Sequence, residues 1–261
     1  IACMEVPISE APKFGVVVVD EGMQITQFEE KPENPTPIPQ DSSRAFVSMG
    51  LYVFRTDLLI QALIDDQLEN NSKHDFGMDI LPKLVASHKV RAYKFGGKEG
   101  RVTPDQYWRD VGTIDAYYQA NMDLLQPVPP LNLYQKNWPI RTYNPQAPPA
   151  RTIPGTTGAE GVFINSMLAS GVVISGGQVR DSILFHDAFV KDRAHVEQSI
   201  LFAGVEVGEK AKIRNCIVDK NVVIPPGESI GYDRDLDQQR FTISDLGVVV
   251  VPEGYLFNYE R

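Results

Sequence analysis

The sequence predicts two folded parts, an α/β part followed by a left-handed parallel β-helix, and three observations indicate this. Short apolar runs alternate with helix-like segments up to residue 126, which is the order of elements in an α/β fold. Eight prolines then fall between Pro127 and Pro154, too many for a helix or a central strand. Aliphatic residues finally recur at steps of five or six residues. We therefore divide the chain into residues 1–126, a linker at 127–160 and a β-helix at 161–261.

The first part is predicted to contain strands that alternate with helices. The wholly apolar run at 16–19 is typical of a strand buried on both faces, and the turn residues after it predict a hairpin with a strand at 23–30. A further strand is predicted at 45–54, and Asp57 is predicted to cap the apolar helix that follows. The last strand of this part is predicted at 90–95.

The last hundred residues repeat with a period of 17. Leu184, Leu201 and Val218 are 17 residues apart, and they end the similar stretches Asp-Ser-Ile-Leu, Gln-Ser-Ile-Leu and Asn-Cys-Ile-Val. Three short sides per period, each sending one aliphatic side chain inward, are typical of a three-sided β-helix of hexapeptide repeats. The charged residues at 233–240 and a strand at 248–251 are expected to cap its end.

Composition and charge argue against several classes of function. Lys and Arg number 25 against 34 Asp and Glu, so the net charge is −9 and binding to nucleic acid or to an anionic membrane is not expected. No apolar run approaches the roughly 20 residues that span a bilayer. Two cysteines are too few for a disulfide framework, which fits a reducing cytoplasm.

The stretch Tyr-Trp-Arg-Asp-Val-Gly-Thr at 107–113 carries the first candidate for chemistry. Thr113 is placed to cap a helix at 114–125, so Asp110 lies at the turn that leads into this helix. An acidic residue at such a turn of an α/β sheet commonly lies at the mouth of the ligand crevice. The alternative is a solvated loop aspartate with Trp108 as a core side chain.

A second candidate is Glu30-Lys31-Pro32 at the end of the predicted hairpin. Lysine holds a phosphate group as a point charge, and glutamate accepts hydrogen bonds from sugar hydroxyls. The alternative is an ion pair on the surface. Ser48 and Asp75 are polar residues in or beside apolar runs, where structural roles are more common than ligand contacts.

Five motifs follow one another in an order that resembles one enzyme family. They are Glu-Glu-Lys-Pro at 29–32, Ser-Met-Gly-Leu-Tyr-Val-Phe at 48–54, His-Asp-Phe-Gly at 74–77, the stretch at 107–113 and Asn-Trp-Pro-Ile-Arg-Thr-Tyr at 137–143. With the β-helix, they make almost the whole chain similar to bacterial glucose-1-phosphate adenylyltransferase, also called ADP-glucose pyrophosphorylase. The resemblance implies that residues 1–126 are part of a Rossmann-like nucleotidyltransferase domain.

The resemblance implies an enzyme that converts ATP and glucose 1-phosphate to ADP-glucose and diphosphate with Mg²⁺, in the committed step of glycogen synthesis. It implies that Lys31 binds the sugar phosphate, that Glu30 binds the sugar hydroxyls, and that Asp110 is one of two acids that hold the metal. The other residues of the sugar site are implied to be Gly15, Ser48, Asp75 and Trp108. Lys31 and Asp110 are thus the expected catalytic residues and should converge on one phosphate-bearing pocket.

The resemblance also implies a regulated homotetramer in which the β-helix serves regulation and assembly. Relatives bind an activator and the inhibitor AMP between their two domains, and Lys220 stands where one relative has an effector-binding arginine. The activator stays open between a sugar phosphate, such as fructose 6-phosphate, and pyruvate. Two alternatives also remain, a nucleotidyltransferase for another sugar 1-phosphate and a non-catalytic regulatory subunit.

The first six residues resemble the middle of a strand, and there is no initiator methionine. The resemblance implies that a Gly-rich nucleotide loop, a catalytic arginine and lysine, and the second metal acid lie upstream of Ile1. The 261 residues alone are therefore expected to be inactive, whereas the parent protein is expected to be active.

Overall fold

The structure is a computed structural model that describes residues 1–96, 107–136, 139–143 and 145–257. The chain forms two compact units, Ile1–Trp108 and Arg109–Arg261, and each is described by itself. Within the described ranges, no helix is both long enough and apolar enough to cross a membrane. The first two residues of the motif at 137–143 lie outside these ranges.

The described part of the first unit is built around a mixed sheet of five strands. These are β1 (Ala2–Pro7), β2 (Gly15–Val19), β3 (Ile25–Glu30), β4 (Arg44–Ser48) and β5 (Tyr93–Lys94). The strand order is β3-β2-β4-β1-β5, and neighbours run antiparallel except for the parallel pair of β1 and β5. The predicted hairpin is therefore present as β2 and β3.

Short helical elements accompany this sheet. They are a 3-10 turn at Ala11–Lys13, α1 (Thr56–Gln67), a π-helical turn at Phe76–Ile80 and α2 (Leu81–Ser87). Leu81 of α2 packs in one core cluster with Val17 and Phe28, whereas Val16 and Val47 belong to a second cluster. Alternate residues of β2 thus enter different cores, which explains why this strand is apolar throughout.

Two predicted strands are shorter than expected. The strand predicted at 45–54 ends at Ser48, whose hydroxyl accepts a hydrogen bond from the Gly50 N–H at 3.2 Å as the chain turns. The strand predicted at 90–95 is reduced to Tyr93–Lys94, with Arg91 forming an isolated bridge to the hairpin. Apolar composition predicted these strands, but it did not reveal where their pairing partners end.

The predicted cap of α1 is wrong. The helix begins at Thr56, so the N-cap position belongs to Arg55 and makes no side-chain capping bond. Asp57 instead lies in the first turn, where the helix dipole favours a negative charge, and forms an ion pair with Arg55.

The second unit begins near α3 (Ile114–Met122), which continues into a 3-10 turn at Asp123–Leu125 and confirms the helix predicted at 114–125. Thr113 caps it by accepting a hydrogen bond from the Ala116 N–H at 3.1 Å. Among the described residues of the proline-rich segment, no helix or strand forms before Arg151.

The rest of this unit is a parallel β-helix, as predicted. Its elements are β6 (Arg151–Ile153), β7 (Val162–Ile164), β8 (Met167–Leu168), β9 (Val173–Ser175), β10 (Gln178–Arg180), β11 (Ile183–Leu184), β12 (Phe189–Val190), β13 (His195–Glu197), β14 (Ile200–Leu201), β15 (Glu206–Val207), β16 (Lys212–Arg214), β17 (Cys216–Val218), β18 (Val223–Ile224), β19 (Ser229–Ile230), α4 (Arg234–Arg240), β20 (Thr242–Ile243) and β21 (Val249–Val251). In the described residues, the strands form three sheets, one for each side of a coil. The first strand, β6, lies at the edge of its sheet and within the segment predicted as linker.

The register of the coils explains the period seen in the sequence. Leu184 pairs with Leu201, and Leu201 pairs with Val218, so residues 17 positions apart lie directly above one another. All three are buried in one continuous core. The repeated aliphatic positions are thus the inward-facing residues of successive coils.

One corner of the β-helix carries Ser166, Ser182, Ser199 and Cys216 in successive coils, and we call this set the serine column. Each serine hydroxyl donates a hydrogen bond to the carbonyl oxygen two residues before it, at 2.6 to 2.7 Å. Each serine hydroxyl also accepts a hydrogen bond from the backbone N–H of the next member, at 3.1 to 3.3 Å. The column therefore repeats the same pair of bonds from coil to coil.

The segment predicted to cap the β-helix packs onto its last coil. Phe241, directly after α4, is buried in the same core as the coils, together with Phe257. Tyr255 packs against both rings, with centroid distances of 4.8 and 4.9 Å. Strand β21 pairs with β17 on one side and with β20 on the other.

Candidate functional site

Three of the predicted sugar-site residues lie in one row across the sheet of the first unit. Glu30, the last residue of β3, pairs with Gly15 at the start of β2. Because Val16 pairs with Val47 in an antiparallel register, Gly15 lies opposite Ser48. Side chains opposite one another in a sheet point to the same face, so these three residues share one face of the sheet.

Two glycines leave room for the Glu30 carboxylate. A side chain at Gly15 would come within 2.9 Å of Glu30 Oε2, and a side chain at Gly77 would overlap the same oxygen. Gly77 belongs to the π-helical turn that follows His74 and Asp75. The motif at 74–77 therefore places a glycine backbone directly against the carboxylate at the end of β3.

The charge state of Glu30 reflects its surroundings. Partial burial raises the pKa of this carboxyl above its usual range, Asp75 raises it further, and the nearby Lys31 opposes both. Lys31 Nζ lies 4.0 Å from Glu30 Oε1 and is largely exposed. The Lys31 backbone is in the left-handed region, with φ of 46°, and its N–H donates to the Phe14 carbonyl oxygen at 3.1 Å. The lysine is thus held at the end of the row with its ammonium group accessible.

Asp75 has a structural task in this site. Its Oδ1 accepts hydrogen bonds from the N–H groups of Gly77 and Met78 at 2.8 and 2.9 Å, and it thereby caps the π-helical turn. These bonds fix the position of Gly77 against Glu30. The hydrogen bonds that the Asp75 side chain accepts are thus from the backbone, and its part in binding a sugar stays a prediction.

Ser48 is also satisfied within the protein. Its hydroxyl is hydrogen-bonded to the Tyr52 hydroxyl at 3.2 Å, in addition to the Gly50 N–H. Tyr52 in turn stacks on Phe76, with ring centroids 5.9 Å apart. This chain of contacts links the end of β4 to the turn that carries Asp75.

Trp108 lies beside the same row. Its ring meets Phe14 edge to face, with centroids 6.0 Å apart, and Phe14 directly precedes Gly15. The first unit therefore brings together Gly15, Glu30, Lys31, Ser48, Asp75 and Trp108.

Asp110 belongs to the second unit, where it is exposed between Arg109 and Thr113. A side chain at Gly112 would lie 3.4 Å from either carboxylate oxygen, so the backbone leaves this group open. With the other described residues, Asp110 makes no hydrogen bond or ion pair. Because Lys31 and Asp110 lie in different units, their convergence on one pocket stays a prediction.

Lys220, the predicted effector-binding residue, is exposed at a corner of the β-helix just after β17. Its N–H donates to the carboxylate of Asp219 at 2.7 Å. Its role also stays a prediction.

Gly77 is the main residue of the site that we did not single out from the sequence. It stands in a quoted motif, and a glycine two residues after a capping aspartate is a signal for a close approach of the backbone. Its partner Glu30 could not be identified in this way, because the two residues are distant in the chain.

Comparison with known proteins adds two family matches. Residues 1–127 match the nucleotidyl transferase family, and residues 148–251 match the family of the GlmU-like C-terminal hexapeptide region. These two segments correspond to the α/β fold and to the β-helix.

The curated relatives match both segments and the connection between them. The chain is 54% identical over 260 residues to glucose-1-phosphate adenylyltransferase 2 of Vibrio cholerae, which covers 100% of the chain and 64% of the relative. It is 54% identical over 257 residues to the protein of the same name from Vibrio parahaemolyticus, covering 98% of the chain and 64% of the relative. The protein of that name from Pseudoalteromonas atlantica is 45% identical over 258 residues, covering 98% of the chain and 61% of the relative. Along its whole length the chain is thus similar to proteins named glucose-1-phosphate adenylyltransferase, and it carries a nucleotidyl transferase segment followed by a GlmU-like hexapeptide segment.

Proposed function

We propose that the protein containing this chain joins ATP and glucose 1-phosphate to give ADP-glucose and diphosphate in glycogen synthesis. The observation that carries this proposal is the 54% identity to proteins named for this reaction along the whole chain. Because the chain spans 64% of the length of these relatives, the activity is proposed for the whole protein.

The row of Glu30, Gly15 and Ser48 supports the first unit as the side that binds glucose 1-phosphate. The accessible ammonium group of Lys31 suits the sugar phosphate, because a lysine binds a phosphate as a point charge. The Glu30 carboxylate, placed against two glycines, suits the sugar hydroxyls as a hydrogen-bond acceptor. Trp108 adds an aromatic wall beside this row.

The proposed reaction is an in-line displacement. An oxygen of the sugar phosphate forms a bond to the α-phosphorus of ATP while the bond from that phosphorus to the bridging oxygen breaks, and diphosphate leaves with the electron pair. Such a step depends on positioning and on neutralising negative charge more than on proton transfer. Lys31 would contribute to positioning and to charge neutralisation by holding the attacking phosphate.

The residues present fit a role in holding Mg²⁺. Magnesium prefers carboxylate oxygens, and Asp110 offers two oxygens that have no partner among the described residues. Within those residues, no three His, Cys, Asp or Glu side chains form a complete metal-binding group. Asp110 would therefore be one ligand, and the bound metal would supply charge neutralisation at the phosphates.

Regulation and assembly belong to the same proposal. The proposed effectors are a sugar-phosphate or pyruvate activator and the inhibitor AMP, with Lys220 as a binding residue. The proposed assembly is a homotetramer in which the β-helix serves as the assembly domain. The exposed position of Lys220 on the β-helix is compatible with binding an anionic effector.

The test is an assay of the full-length protein with ATP, Mg²⁺ and a panel of sugar 1-phosphates, and with glucose 1-phosphate and a panel of nucleotides. ADP-glucose should be the preferred product. Lys31→Gln should raise the KM for glucose 1-phosphate about ten- to a hundredfold and leave the KM for ATP nearly unchanged, because a charged contact to the sugar phosphate is lost. Lys89→Gln, at another exposed lysine of the first unit, should change neither.

A preference for another sugar or nucleotide would overturn the substrate assignment. Effector binding by an intact protein without turnover would instead identify a regulatory subunit. An unchanged KM for glucose 1-phosphate in Lys31→Gln would remove the lysine from the sugar-phosphate site.

A further inference from the structure

Helix α3 follows directly after the loop of Asp110 and is hydrogen-bonded to the β-helix. The Ser244 hydroxyl, in the turn between β20 and β21, donates to Asp115 Oδ1. The Leu246 N–H of the same turn donates to Asp115 Oδ2 at 3.3 Å. At the next turn of α3, the Tyr118 hydroxyl donates to the Gln198 carbonyl oxygen at 2.7 Å. Both ends of the Asp115 carboxylate are therefore engaged by one turn of the β-helix.

Apolar contacts accompany these bonds. One face of α3, with Ile114, Tyr117, Tyr118 and Met122, packs in a common cluster with residues of the coils that include Phe202 and Ile217. Burial raises the pKa of Tyr118 to about 12. Apolar packing and hydrogen bonds together thus hold α3 in one position on the β-helix.

The turn that binds Asp115 is itself fixed to the coils. The Ser244 hydroxyl accepts a hydrogen bond from the Val248 N–H at 2.9 Å while it donates to Asp115. The Asn215 side chain, next to the serine column, donates to the Gly247 carbonyl oxygen at 2.8 Å. A continuous set of hydrogen bonds therefore runs from the body of the β-helix to the first turn of α3.

The other end of the Asp110 loop is attached to the 3-10 turn that continues α3. Arg109 Nη1 lies 2.5 Å from Asp123 Oδ2, and Asp123 is only 6% exposed. The other oxygen of Asp123 accepts hydrogen bonds from Gln119 and Gln126. Only Asp110, Val111 and Gly112 lie between the held Arg109 and the capping Thr113.

We infer that Asp115 and Ser244 are positioning residues for Asp110, through which the β-helix sets the place of the metal-binding carboxylate. This inference rests on the proposed function of Asp110. An exposed carboxylate on a three-residue loop cannot keep one position by its own contacts, so its position depends on the two attachment points. Residues that orient a metal ligand commonly affect metal affinity, although they do not contact the metal themselves.

The test compares Asp115→Ala and Ser244→Ala with wild type in the full-length protein. Mn²⁺ binding, measured by electron paramagnetic resonance titration, should weaken about tenfold in both variants, and the Mg²⁺ concentration for half-maximal activity should rise by a similar factor. Asp110→Asn provides the reference for loss of the ligand itself. Ser244→Thr keeps the hydroxyl and should retain wild-type values.

Asp192→Asn is the matched control for stability. Asp192 is a buried carboxylate of the β-helix that accepts hydrogen bonds from Thr156 and Thr157 and makes none with α3. This variant should lower the melting temperature and leave Mn²⁺ affinity unchanged. Wild-type Mn²⁺ affinity in Asp115→Ala and Ser244→Ala, or an equal loss in Asp192→Asn, would overturn the inference. Turnover by wild type tests the proposed function separately, because the metal titration needs no turnover.

Discussion

A row of small and polar residues crosses several strands in each unit, but the two rows are built differently. In the first unit, Glu30, Gly15 and Ser48 lie side by side on antiparallel strands, and each has different contacts. In the second unit, the serine column repeats one bonding pattern through parallel coils. A row of different residues offers different contacts side by side, as a binding site requires. A row of identical residues repeats one contact, which stabilises the scaffold.

Topology explains the difference. Coils that stack in register place each residue above its equivalent one period earlier, so the same side chain can be used again. Antiparallel strands joined by loops of different length bring unrelated residues together. The function proposed for the first unit therefore depends on contacts that occur once, and the stability of the β-helix depends on contacts that recur.

The largest expected effect on stability comes from breaking the serine column. Ser199→Ala removes the acceptor of the buried Cys216 N–H and should lower the free energy of unfolding by about 1–3 kcal/mol. Ser48→Ala should cost about 1 kcal/mol or less, because its partner Gly50 is exposed and water can replace the hydroxyl. Urea unfolding followed by circular dichroism measures both.

The two serine variants should also differ in function. Ser48→Ala should raise the KM of the full-length protein for glucose 1-phosphate, whereas Ser199→Ala should leave it unchanged. If Ser199→Ala were the milder of the two in unfolding, the serine column would not be the stabilising feature that its bonds indicate.

A smaller effect on stability is expected from Gly77→Ala, which tests the residues around Glu30 in the first unit. The added methyl group overlaps the end of the Glu30 side chain, which can rotate away, so stability should change little. The KM for glucose 1-phosphate should rise about tenfold, since the Glu30 carboxylate would leave the position proposed for binding the sugar hydroxyls.

The control for this variant is Gly22→Ala in the turn of the same hairpin. A side chain there meets nothing closer than 3.4 Å, so neither KM nor stability should change much. Equal KM values for wild type and Gly77→Ala would show that the position of Glu30 is not set by Gly77.

The smallest effect is on the pH dependence of the free energy of unfolding. Glu30 in the first unit and Asp192 in the second should change this free energy in opposite directions as the pH rises. Burial, with a contribution from Asp75, raises the pKa of Glu30, so its contribution to stability falls as the pH rises from 4.5 through the raised pKa. The backbone N–H of Thr157 is the main cause that lowers the pKa of Asp192, so its contribution is present above pH 3.8 and is lost as the pH falls through the lowered pKa.

Paired variants separate these two acids. Glu30→Gln should flatten the decline in urea midpoint above pH 4.5, and Asp192→Asn should flatten the decline below pH 3.8. Identical midpoint profiles for either variant and wild type would remove that acid from the pH dependence.

The sequence predicted the β-helix well because its period is the spacing between stacked residues, as Leu184, Leu201 and Val218 show. The helix after Thr113 was likewise readable from a local cap. The end of the strand at Ser48 and the start of α1 at Thr56 could not be predicted in this way. The first boundary depends on the pairing partners of the strand, and the second depends on the turn before the helix. The contact of Gly77 with Glu30 joins residues that no local pattern connects.

The serine column has a consequence for how this protein can vary in length. In each coil the N–H of the column residue donates to the serine hydroxyl of the coil before it, and the hydroxyl of that residue accepts from the coil after it. A coil can therefore be inserted or removed without leaving an N–H of the column unpaired. At Cys216 the column meets Val249 of the closing strand, which carries no polar side chain to continue the pattern. The column thus ends at Cys216, where β21 and the segment with Phe241 and Phe257 close the β-helix.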